Sequence, residues 1–289
     1  MSSIHDLDLA IDLWLHEDIR EGDHTTLSTI PPEATGRAIL LVKQPGVIAG
    51  VEVARRVLKR FDPGISIDLA IEDGRTVAPG DVGFTVLGKV HTILQCERLV
   101  LNIMQRMSGI ATATRSYVEL VDGTGTRILD TRKTTPGFRG LEKEAVRLGG
   151  GINHRFGLHD MILIKDNHID FAGSIEQAIR SARAYMAEKN LELDIEVEAR
   201  GLEDVKRILS KEGVHRILLD NFTLEMTREA VGLIAGRVET ESSGGITRET
   251  IRAYAECGVD YISVGALTHQ INSLDLSLKA YRTEHASDN

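Results

Sequence analysis

Apolar and polar positions follow one rhythm in the first third of the chain and another in the rest. In the first part, residues 4–19 and 51–61 have helical spacing, and strand-like stretches cover residues 35–49, 65–71 and 82–88. Pro45 and Gly46 interrupt the first of these strands, and the turn-rich sequence EDGRTVAPGD separates the last two. A long helical pattern then runs from about His91 towards Val121. No regular strand–helix–strand unit recurs here, which indicates a mixed α/β segment.

From residue 127 onwards, short apolar runs alternate with helical patterns. The runs are rich in Ile, Leu and Val, and they read TRILD, MILIK, LDIEVE, RILLD, VETES and DYISVG. Helix-period segments such as IEQAIRSARAYMAEK and LEDVKRILSKEG separate them. This alternation predicts βαβ units and a parallel sheet. The last four runs recur about every 22 residues, which suits a compact αβ barrel.

Composition narrows the class of protein. With 289 residues, of which 42% are hydrophobic, the chain is long enough for a barrel and a smaller partner domain. A net charge of −9 and an aromatic content of 4% argue against a nucleic-acid partner. No apolar run is long enough to cross a membrane, and the N-terminus lacks the order of a signal peptide. Cys96 and Cys257 stand outside any CxxC motif, so we expect reduced thiols and a cytoplasmic protein without a membrane partner.

Basic residues follow the predicted strands where a barrel keeps its active site, at the carboxyl ends of the strands. Arg132 and Lys133 follow TRILD, Lys165 ends MILIK, and His154 and Arg155 lie in the glycine-rich loop GGGINHRFGLHD. A lone Arg-Lys pair is usually a solvated loop. Five basic residues at neighbouring strand ends predict a cationic pocket in an acidic protein. Its expected ligand is a small molecule with several negative charges.

Acidic and glycine-rich strand ends complete the predicted site. Glu198 and Asp220 end the next two strands, where they would meet Mg²⁺ or ribose hydroxyls. Glu196 shares a strand face with Glu198, and for Glu196 a role limited to neutralising the basic residues remains a serious alternative. The last two strand ends predict a phosphate site, and Thr247 is expected to cap the following helix; the residues concerned are Ser243, Gly244, Gly245 and Gly265. His269 could bind phosphate or be an ordinary packed histidine.

Residues 130–169, DTRKTTPGFRGLEKEAVRLGGGINHRFGLHDMILIKDNHI, closely resemble the central block of the quinolinate phosphoribosyltransferases, also called carboxylating nicotinate-nucleotide pyrophosphorylases. Further matches cover nearly the whole chain in the order of that family. They are EDIREGDHTT, GVIAG, ERLVLNIMQRMSGIAT, IEVE, ILLDNF, SGGI and VGALTH. Such a series is far more specific than a single short motif.

The resemblance implies an α/β fold with two domains. An incomplete αβ (TIM-like) barrel, residues 109–269, would stand beside an α/β sandwich built from residues 1–108 and the C-terminal tail, 270–289. The last residues of that tail, EHASDN, look disordered in sequence. The resemblance also implies a homodimer, with Arg98 of one protomer reaching the site of its partner. The implied reaction joins quinolinate to phosphoribosyl pyrophosphate and yields nicotinate mononucleotide, pyrophosphate and CO₂, with Mg²⁺ as cofactor.

Roles for individual residues follow from the same resemblance. The two carboxylates of quinolinate would be held by Arg98, Arg132, Arg155 and Lys165. Lys133 and His154 would line the boundary between quinolinate and the phosphates, and Lys133, Glu198 and Asp220 would stabilise charge during the reaction. Phosphate would be held by Ser243, Gly244, Gly265 and His269. Glu144 departs from the aromatic residue expected in LEKYAV, which weakens the assignment of Lys143 as a ligand contact.

Three alternatives stay open on the sequence. The first is a molybdenum-associated paralogue group with the same fold, which Thr135 and Lys165 of this chain disfavour. The second is a transferase for nicotinate itself, whose single carboxylate needs fewer basic residues than this chain offers. The third is a non-enzymatic sensor of phosphoribosyl ligands, which only a turnover measurement excludes.

Overall fold

The structure, a computed structural model, describes residues 4–281, with side chains from residue 7. The EHASDN tail lies outside the described residues. The chain divides into two compact units. The first contains residues up to Arg115, the segment Thr134–Gly150 and the chain from Gln270 onwards, and the second contains Ser116–Lys133 and Gly151–His269.

The first unit is built on a four-stranded antiparallel sheet in the order β12-β1-β5-β3. A two-stranded ladder joins β2 and β4. The strands are β1 (Thr35–Val42), β2 (Gly46–Val47), β3 (Ser66–Leu69), β4 (Thr76–Val77), β5 (Val82–Lys89) and β12 (Leu276–Ala280). The helices are α1 (Ile4–Ile19), α2 (His24–Thr29), α3 (Val51–Phe61), α4 (Val90–Leu120) and α5 (Arg139–Leu148), and the end of α4 belongs to the second unit.

The predicted helices and strands of this unit are confirmed. The additions are β4, inside the turn-rich segment, and the helices α2 and α5. Helices α1 and α3 are tied together by ion pairs, with Arg56 Nε 2.7 Å from Asp8 Oδ1 and Arg60 Nη2 2.6 Å from Asp12 Oδ2. The strand β12 pairs with β1, so the C-terminal segment completes the sheet of the first unit.

Residues 134–150 belong to the first unit, although the sequence-based boundaries placed them in the barrel. The fully buried Glu142 of α5 explains this placement. Its Oε1 accepts a hydrogen bond from Arg106 Nε on α4 at 2.8 Å, and its Oε2 accepts one from the Thr135 N–H at 3.1 Å. An ion pair made by a buried carboxylate is costly to break, which fastens this loop and helix to α4.

The second unit is a six-stranded parallel sheet in the order β6-β11-β10-β9-β8-β7. Its strands are β6 (Arg127–Leu129), β7 (Ile162–Ile164), β8 (Ile195–Ala199), β9 (Arg216–Asp220), β10 (Glu239–Ser243) and β11 (Tyr261–Ser263). Its helices are α6 (Asp166–Ala172), α7 (Ile175–Lys189), α8 (Leu202–Leu209), α9 (Leu224–Ile234), α10 (Ile251–Ala255) and α11 (Ala266–His269). Ile152 forms a parallel bridge to Leu129 beside β6. This is the predicted incomplete αβ barrel.

Local sequence explains where the barrel helices begin and end. Ser174 and Thr223 cap α7 and α9, each accepting a hydrogen bond from a backbone N–H in the first turn. Asn190 ends α7 in the left-handed conformation that asparagine tolerates. All five residues of β8 are buried, as expected for a parallel strand covered on both faces. Across residues 4–281, no helix combines the length and the apolar character that a membrane span needs.

Candidate active site

A cavity of about 670 Å³ opens at the carboxyl ends of the barrel strands. Most residues predicted for the site line it, which brings basic, acidic and glycine-rich strand ends to one place. The predicted residues in its lining are Arg132, Lys133, His154, Arg155, Lys165, Asp220, Ser243, Gly244, Gly245, Gly265 and His269. Their joint presence in a single cavity agrees with the rule that barrels build active sites at this end.

The loop that follows Ile152 is fastened to the end of β6. Asp130 is completely buried there, and its Oδ1 accepts a hydrogen bond from the His154 N–H at 2.8 Å. Its Oδ2 accepts one from Asn153 Nδ2 at 2.7 Å. The two segments that carry the predicted basic residues are therefore joined by a buried carboxylate.

The His154 side chain lies over two buried carboxyl groups. Its Nε2 is 3.0 Å from Glu196 Oε2 and 3.5 Å from Glu241 Oε2, and both glutamates are fully buried. On the other side of the ring, the Arg155 N–H donates to Nδ1 at 2.7 Å. Both ring nitrogens thus face groups of the protein. We call His154, Glu196 and Glu241 the buried trio.

The hydrogen-bond geometry of the buried trio, as well as its charges, decides which of the three side chains carry a proton. Burial alone would lower the pKa of His154, but hydrogen bonds and charges of Glu196 and Glu241 raise it to about 9. Burial and the Glu241 charge raise the pKa of Glu196 to about 7. A pKa of about 9 would leave the ring charged at neutral pH, but the Arg155 N–H donates to Nδ1. That nitrogen therefore carries no proton, and we assign the ring as the neutral tautomer with its proton on Nε2. One proton of the trio is thus on His154 Nε2, and we assign the second proton to the carboxyl group of Glu196.

Arg216 balances the negative charge of Glu241. Its Nη1 lies 3.2 Å from Glu241 Oε2 and its Nη2 lies 2.8 Å from Glu239 Oε2. The guanidinium carbon also stands 4.2 Å from the centre of the Tyr261 ring, within range of a cation–π contact. The charge of Glu241 is thus balanced by an arginine that the cavity does not reach. Among the described residues, Glu196 Oε1 and Glu241 Oε1 are buried without a hydrogen-bond partner, so the trio is only partly satisfied.

Basic side chains give the cavity its positive potential. Burial and the neighbouring Arg132 charge lower the pKa of Arg155, whose Nη1 donates to the Met161 carbonyl at 3.2 Å. Lys165 is half exposed, with Nζ 3.9 Å from Glu198 Oε2. Lys133 is exposed, and its main chain is fixed because Thr268 Oγ1 donates to the Lys133 carbonyl at 2.7 Å. Such a group of cations favours a ligand with several negative charges.

Asp220 lines the cavity, whereas Glu198 is not among the lining residues. Burial and the Asp220 charge raise the pKa of Glu198, so the two carboxylates are near enough to repel each other. Oxygen ligands of this kind are those that Mg²⁺ prefers, and a cation would relieve the repulsion. The acidic pair therefore fits a magnesium ion, with Asp220 the more accessible ligand.

The phosphate side of the predicted site is formed by the ends of β10 and β11. Gly244 has a φ of +93°, and a Cβ there would come within 2.3 Å of Asn221 Oδ1. Ser263 Oγ donates to Ser243 Oγ at 3.0 Å. Only glycine suits residue 244, because the backbone is left-handed and the neighbouring amide leaves no space. The site thus offers main-chain atoms and hydroxyls directly to a ligand.

Two expectations about this side are corrected. Thr247 does not cap the next helix: α10 begins at Ile251 and the residue before it is Thr250, whose hydroxyl accepts a hydrogen bond from the Thr247 N–H at 3.0 Å. The sequence therefore continues as a turn before the helix. His269 is exposed at the cavity, so the alternative of an ordinary packed histidine is wrong.

Three residues considered from the resemblance belong to the first unit. Arg98 is an exposed residue of α4, and it is not part of the cavity lining. Lys143 of α5 is buried. Glu144 forms an ion pair with Arg147, whose Nη2 lies 2.6 Å from Glu144 Oε1. The ligand roles of Arg98 and Lys143 therefore stay predictions.

Sequence reasoning missed Glu241 and Asn221, which also line the cavity. Glu241 lies in the run VETES, in which every residue after Val238 is polar, so the run gives little sign of a strand buried on both faces. Asn221 follows Asp220 in a left-handed conformation, with φ of 55°, that asparagine favours. The position of Asn221 directly after a predicted buried strand was the signal in the sequence that could have identified it.

Comparisons with known proteins agree with this geometry. Residues 23–108 match the family model of the quinolinate phosphoribosyl transferase N-terminal domain, and residues 110–279 match that of the C-terminal domain. The chain is 44% identical over 290 residues to the chloroplastic nicotinate-nucleotide pyrophosphorylase [carboxylating] of Arabidopsis thaliana, covering 95% of this chain and 83% of that protein. A Mycobacterium leprae protein of the same name is 45% identical over 270 residues, covering 91% and 93%.

Solved structures give the same result. The chain superposes on NadC from Streptococcus pyogenes with a TM-score of 0.91 and 38% identity, covering 98% of this chain and 99% of that one. Human nicotinic acid phosphoribosyltransferase, at 13% identity and a TM-score of 0.60 over 98% of this chain and 74% of that one, shares the fold alone. The cavity, the barrel and both family models lead to one conclusion: the chain belongs to the quinolinate phosphoribosyl transferase family.

Proposed function

We propose that this chain is a decarboxylating quinolinate phosphoribosyltransferase, a pentosyltransferase of NAD biosynthesis. It converts quinolinate and phosphoribosyl pyrophosphate into nicotinate mononucleotide, pyrophosphate and CO₂. The observation that carries the proposal is the convergence of Arg132, Lys133, Arg155 and Lys165 on one cavity whose far wall is glycine-rich. A dicarboxylate and a polyphosphate together need this many positive charges. The family of the chain supports the same reaction.

Quinolinate would be held by its two carboxylates. Arg132 and Arg155 offer planar guanidinium groups that bind a carboxylate through two parallel hydrogen bonds, and Lys165 adds a point charge. His154 fixes the Arg155 main chain through Nδ1, so its contribution is to the shape of this half of the cavity. Holding both carboxylates would turn the pyridine nitrogen towards the ribose, and such orientation can lower a barrier by several kcal/mol.

Phosphoribosyl pyrophosphate would occupy the other half of the cavity. Ser243, Gly244 and Gly265 offer main-chain and hydroxyl groups to the phosphates, and Lys133 and His269 add side chains from either side. Asp220 and Glu198 would meet the ribose hydroxyls. The acidic pair would also hold Mg²⁺, which supplies a positive charge that neutralises the pyrophosphate leaving group.

The reaction needs positioned charges rather than a nucleophilic side chain. The lone pair of the pyridine nitrogen forms a bond to ribose C1, while the C1–O bond breaks and its electron pair leaves with pyrophosphate. Lys133 would stabilise that leaving charge, and Glu198 and Asp220 the positive charge on the ribose. The nitrogen is then cationic. The bond from ring C2 to its carboxylate can therefore break, leaving its electron pair on C2 and releasing CO₂, after which C2 takes up a proton.

We further propose that the enzyme is a homodimer in which Arg98 of one protomer completes the site of its partner. The resemblance to the family and the exposure of Arg98 on α4 support this. If Arg98 acts across the interface, mixing an Arg98→Ala variant with a Lys133→Ala variant should restore about a quarter of wild-type activity. Half of the dimers are then mixed, and each has one intact site. Continued inactivity of the mixture would place both residues in one protomer's site.

A cytoplasmic location is also a proposal, supported by two buried cysteines that form no disulfide. Plant relatives carry the words chloroplastic or mitochondrial in their names, which describe those proteins. Fractionation of the native cells, with the chain detected by antibody, tests the location. Recovery from an organelle fraction would overturn the proposal.

The activity is tested by parallel reactions of the purified protein with Mg²⁺ and phosphoribosyl pyrophosphate. One contains quinolinate and the other contains nicotinate. We expect nicotinate mononucleotide and CO₂ from quinolinate and no product from nicotinate. Turnover of nicotinate alone would replace the proposed substrate. Inactivity in both reactions would favour the paralogue or the sensor alternative.

A further inference from the structure

We infer that Asp130 is a positioning residue of this site. Its carboxylate holds the segment that carries His154 and Arg155 against the end of β6, which continues into Arg132 and Lys133. The inference rests on the proposed function, since it concerns how the quinolinate half of the cavity keeps its shape. Asp130 is not part of the cavity lining, so it acts through the residues it holds.

Main-chain pairing brings the two segments together and then ends. The Ile152 N–H donates to the Ile128 carbonyl at 2.8 Å, and the Asp130 N–H donates to the Ile152 carbonyl at 3.1 Å. Beyond this point, the Asp130 side chain continues the connection. Oδ1 accepts the His154 N–H at 2.8 Å and Oδ2 accepts Asn153 Nδ2 at 2.7 Å. The carboxylate therefore extends the pairing by two residues, where the loop turns towards the cavity.

A carboxylate suits this place because both of its partners are donors. The two oxygens accept the hydrogen bonds from the His154 N–H and from Asn153 Nδ2, and charge-assisted bonds of this kind are shorter and stronger than neutral ones. The residue is fully buried, so a change that removes an acceptor leaves a main-chain N–H without its partner in a low-dielectric interior. The position of the Arg155 main chain depends on the same segment, because its N–H bonds to the His154 ring.

Kinetics should separate positioning from simple stability. The phosphate groups would bind at the ends of β10 and β11, whereas Asp130 holds the loop that carries Arg155. A displacement of about 1 Å in a positioning group lowers catalytic efficiency by up to about 100-fold. For Asp130→Ala we expect kcat/KM for quinolinate to fall about 10- to 100-fold. The KM for phosphoribosyl pyrophosphate should change less than about threefold, because most of its contacts lie at the ends of β10 and β11 and Thr268 holds the Lys133 main chain independently of Asp130.

A double variant that exchanges the side chains of Asp130 and Asn153 gives the decisive test. Asn153→Asp places a second carboxylate against Asp130 and should impair quinolinate turnover strongly. Asp130→Asn keeps an acceptor for the His154 N–H, and Asn153 can turn its amide, so this variant should be only mildly impaired. Combining the two restores one carboxylate and one amide with the roles exchanged. The double variant should therefore be more active than Asn153→Asp alone by about tenfold or more.

A matched control comes from the opposite end of the barrel strands. Asp260 Oδ2 accepts hydrogen bonds from the Thr240 N–H and Oγ1, both at 2.8 Å, so it resembles Asp130 in chemistry but lies far from the strand ends that form the cavity. Asp260→Asn should reduce thermal stability without changing the KM for quinolinate. If it changes that KM as much as Asp130→Ala does, the positioning role of Asp130 is wrong.

Hydrogen exchange of residues 151–160 gives a readout that needs no substrate. Measured by mass spectrometry on the full-length protein, exchange in this segment should be faster in Asn153→Asp and Asp130→Ala and return towards the wild-type rate in the double variant. Unchanged exchange in the single variants, or a double variant as impaired as Asn153→Asp, overturns the inference. A wild-type protein that fails to convert quinolinate overturns the proposed function instead, while exchange still decides whether Asp130 holds the loop.

Discussion

Replacing His154 with alanine should lower the free energy of unfolding by about 1–3 kcal/mol, the usual loss when a buried acceptor is left without its donor. The imidazole Nε2 lies 3.0 Å from Glu196 Oε2 and 3.5 Å from Glu241 Oε2. One ligand atom of each of these three residues lies within 4.8 Å of the others. Two unit charges 4.8 Å apart would repel by roughly 3.5 kcal/mol at an effective dielectric constant of about 20, and the proton on Glu196 avoids this repulsion with Glu241. Alanine removes the donor that lies between the two carboxyl groups.

Urea unfolding followed by circular dichroism, at one protein concentration, measures this loss. His269→Ala is the matched control, because His269 is exposed at the same cavity, and its effect should stay within about 0.5 kcal/mol. Adding Glu196→Gln to His154→Ala should recover part of the loss, since the amide cannot ionise and keeps a donor for Glu241 at every pH. A loss below about 1 kcal/mol for His154→Ala, or no recovery in the double variant, would refute the argument.

Three further predictions follow from the same site. Gly244→Ala should raise the KM for phosphoribosyl pyrophosphate at least about tenfold in steady-state assays, because φ is +93° and the added Cβ would lie 2.3 Å from Asn221 Oδ1; an unchanged KM would contradict it. Lys133→Ala and Arg155→Ala should each lower kcat/KM by at least about 100-fold, the scale of losing a preorganised charge contact, and near-normal kinetics in both would remove them from the proposed mechanism. The folded-state pKa of Glu196 is about 7, above its ordinary value of 4.5, so its contribution to stability is present below pH 4.5 and is lost as the pH rises through 7. Between about pH 5 and 8 the wild type should therefore lose up to about 3 kcal/mol more stability than Glu196→Gln; parallel stability curves in urea titrations would show that Glu196 does not carry this proton.

Much of the barrel could be predicted because its strands are locally marked. Most of the strands are short apolar runs, and the last residue of each or the one after it is polar or glycine, so Lys165, Asp220 and Gly265 could be assigned to one end of the sheet. That assignment holds whichever strands are neighbours, since all strands of a parallel sheet end at the same edge. The cavity lining confirms where these residues lie, while their roles in binding remain predictions.

The buried trio could not be predicted, because it depends on contacts between strands far apart in sequence. Glu196 lies on β8 and Glu241 on β10, and β9 stands between them in the sheet. Their approach to His154 depends on the pleat and twist of three strands and on a loop fixed by Asp130. Alternation along LDIEVE showed that Glu196 shares a face with Glu198, but not which residue would meet it.

The assignment of α5 to the first unit had no local signal either. Residues 134–150 follow a barrel strand directly, and the helical pattern within them would suit a barrel helix equally well. The decisive contact is the Arg106–Glu142 pair, which joins residues on two different helices. A sequence shows that Glu142 is acidic, but only the packed structure shows that it is fully buried.

The most direct test of the proposed function follows the two carboxyl carbons of quinolinate separately. The purified protein is given Mg²⁺, phosphoribosyl pyrophosphate and quinolinate labelled at either the 2-carboxylate or the 3-carboxylate. We predict that label from the 2-position is released as CO₂, one for each nicotinate mononucleotide formed, and that label from the 3-position stays in the nucleotide. Release should stop when phosphoribosyl pyrophosphate is omitted. Release of CO₂ without nucleotide, or nucleotide that retains both carboxylates, would contradict a reaction in which ribosyl transfer creates the cation that drives decarboxylation.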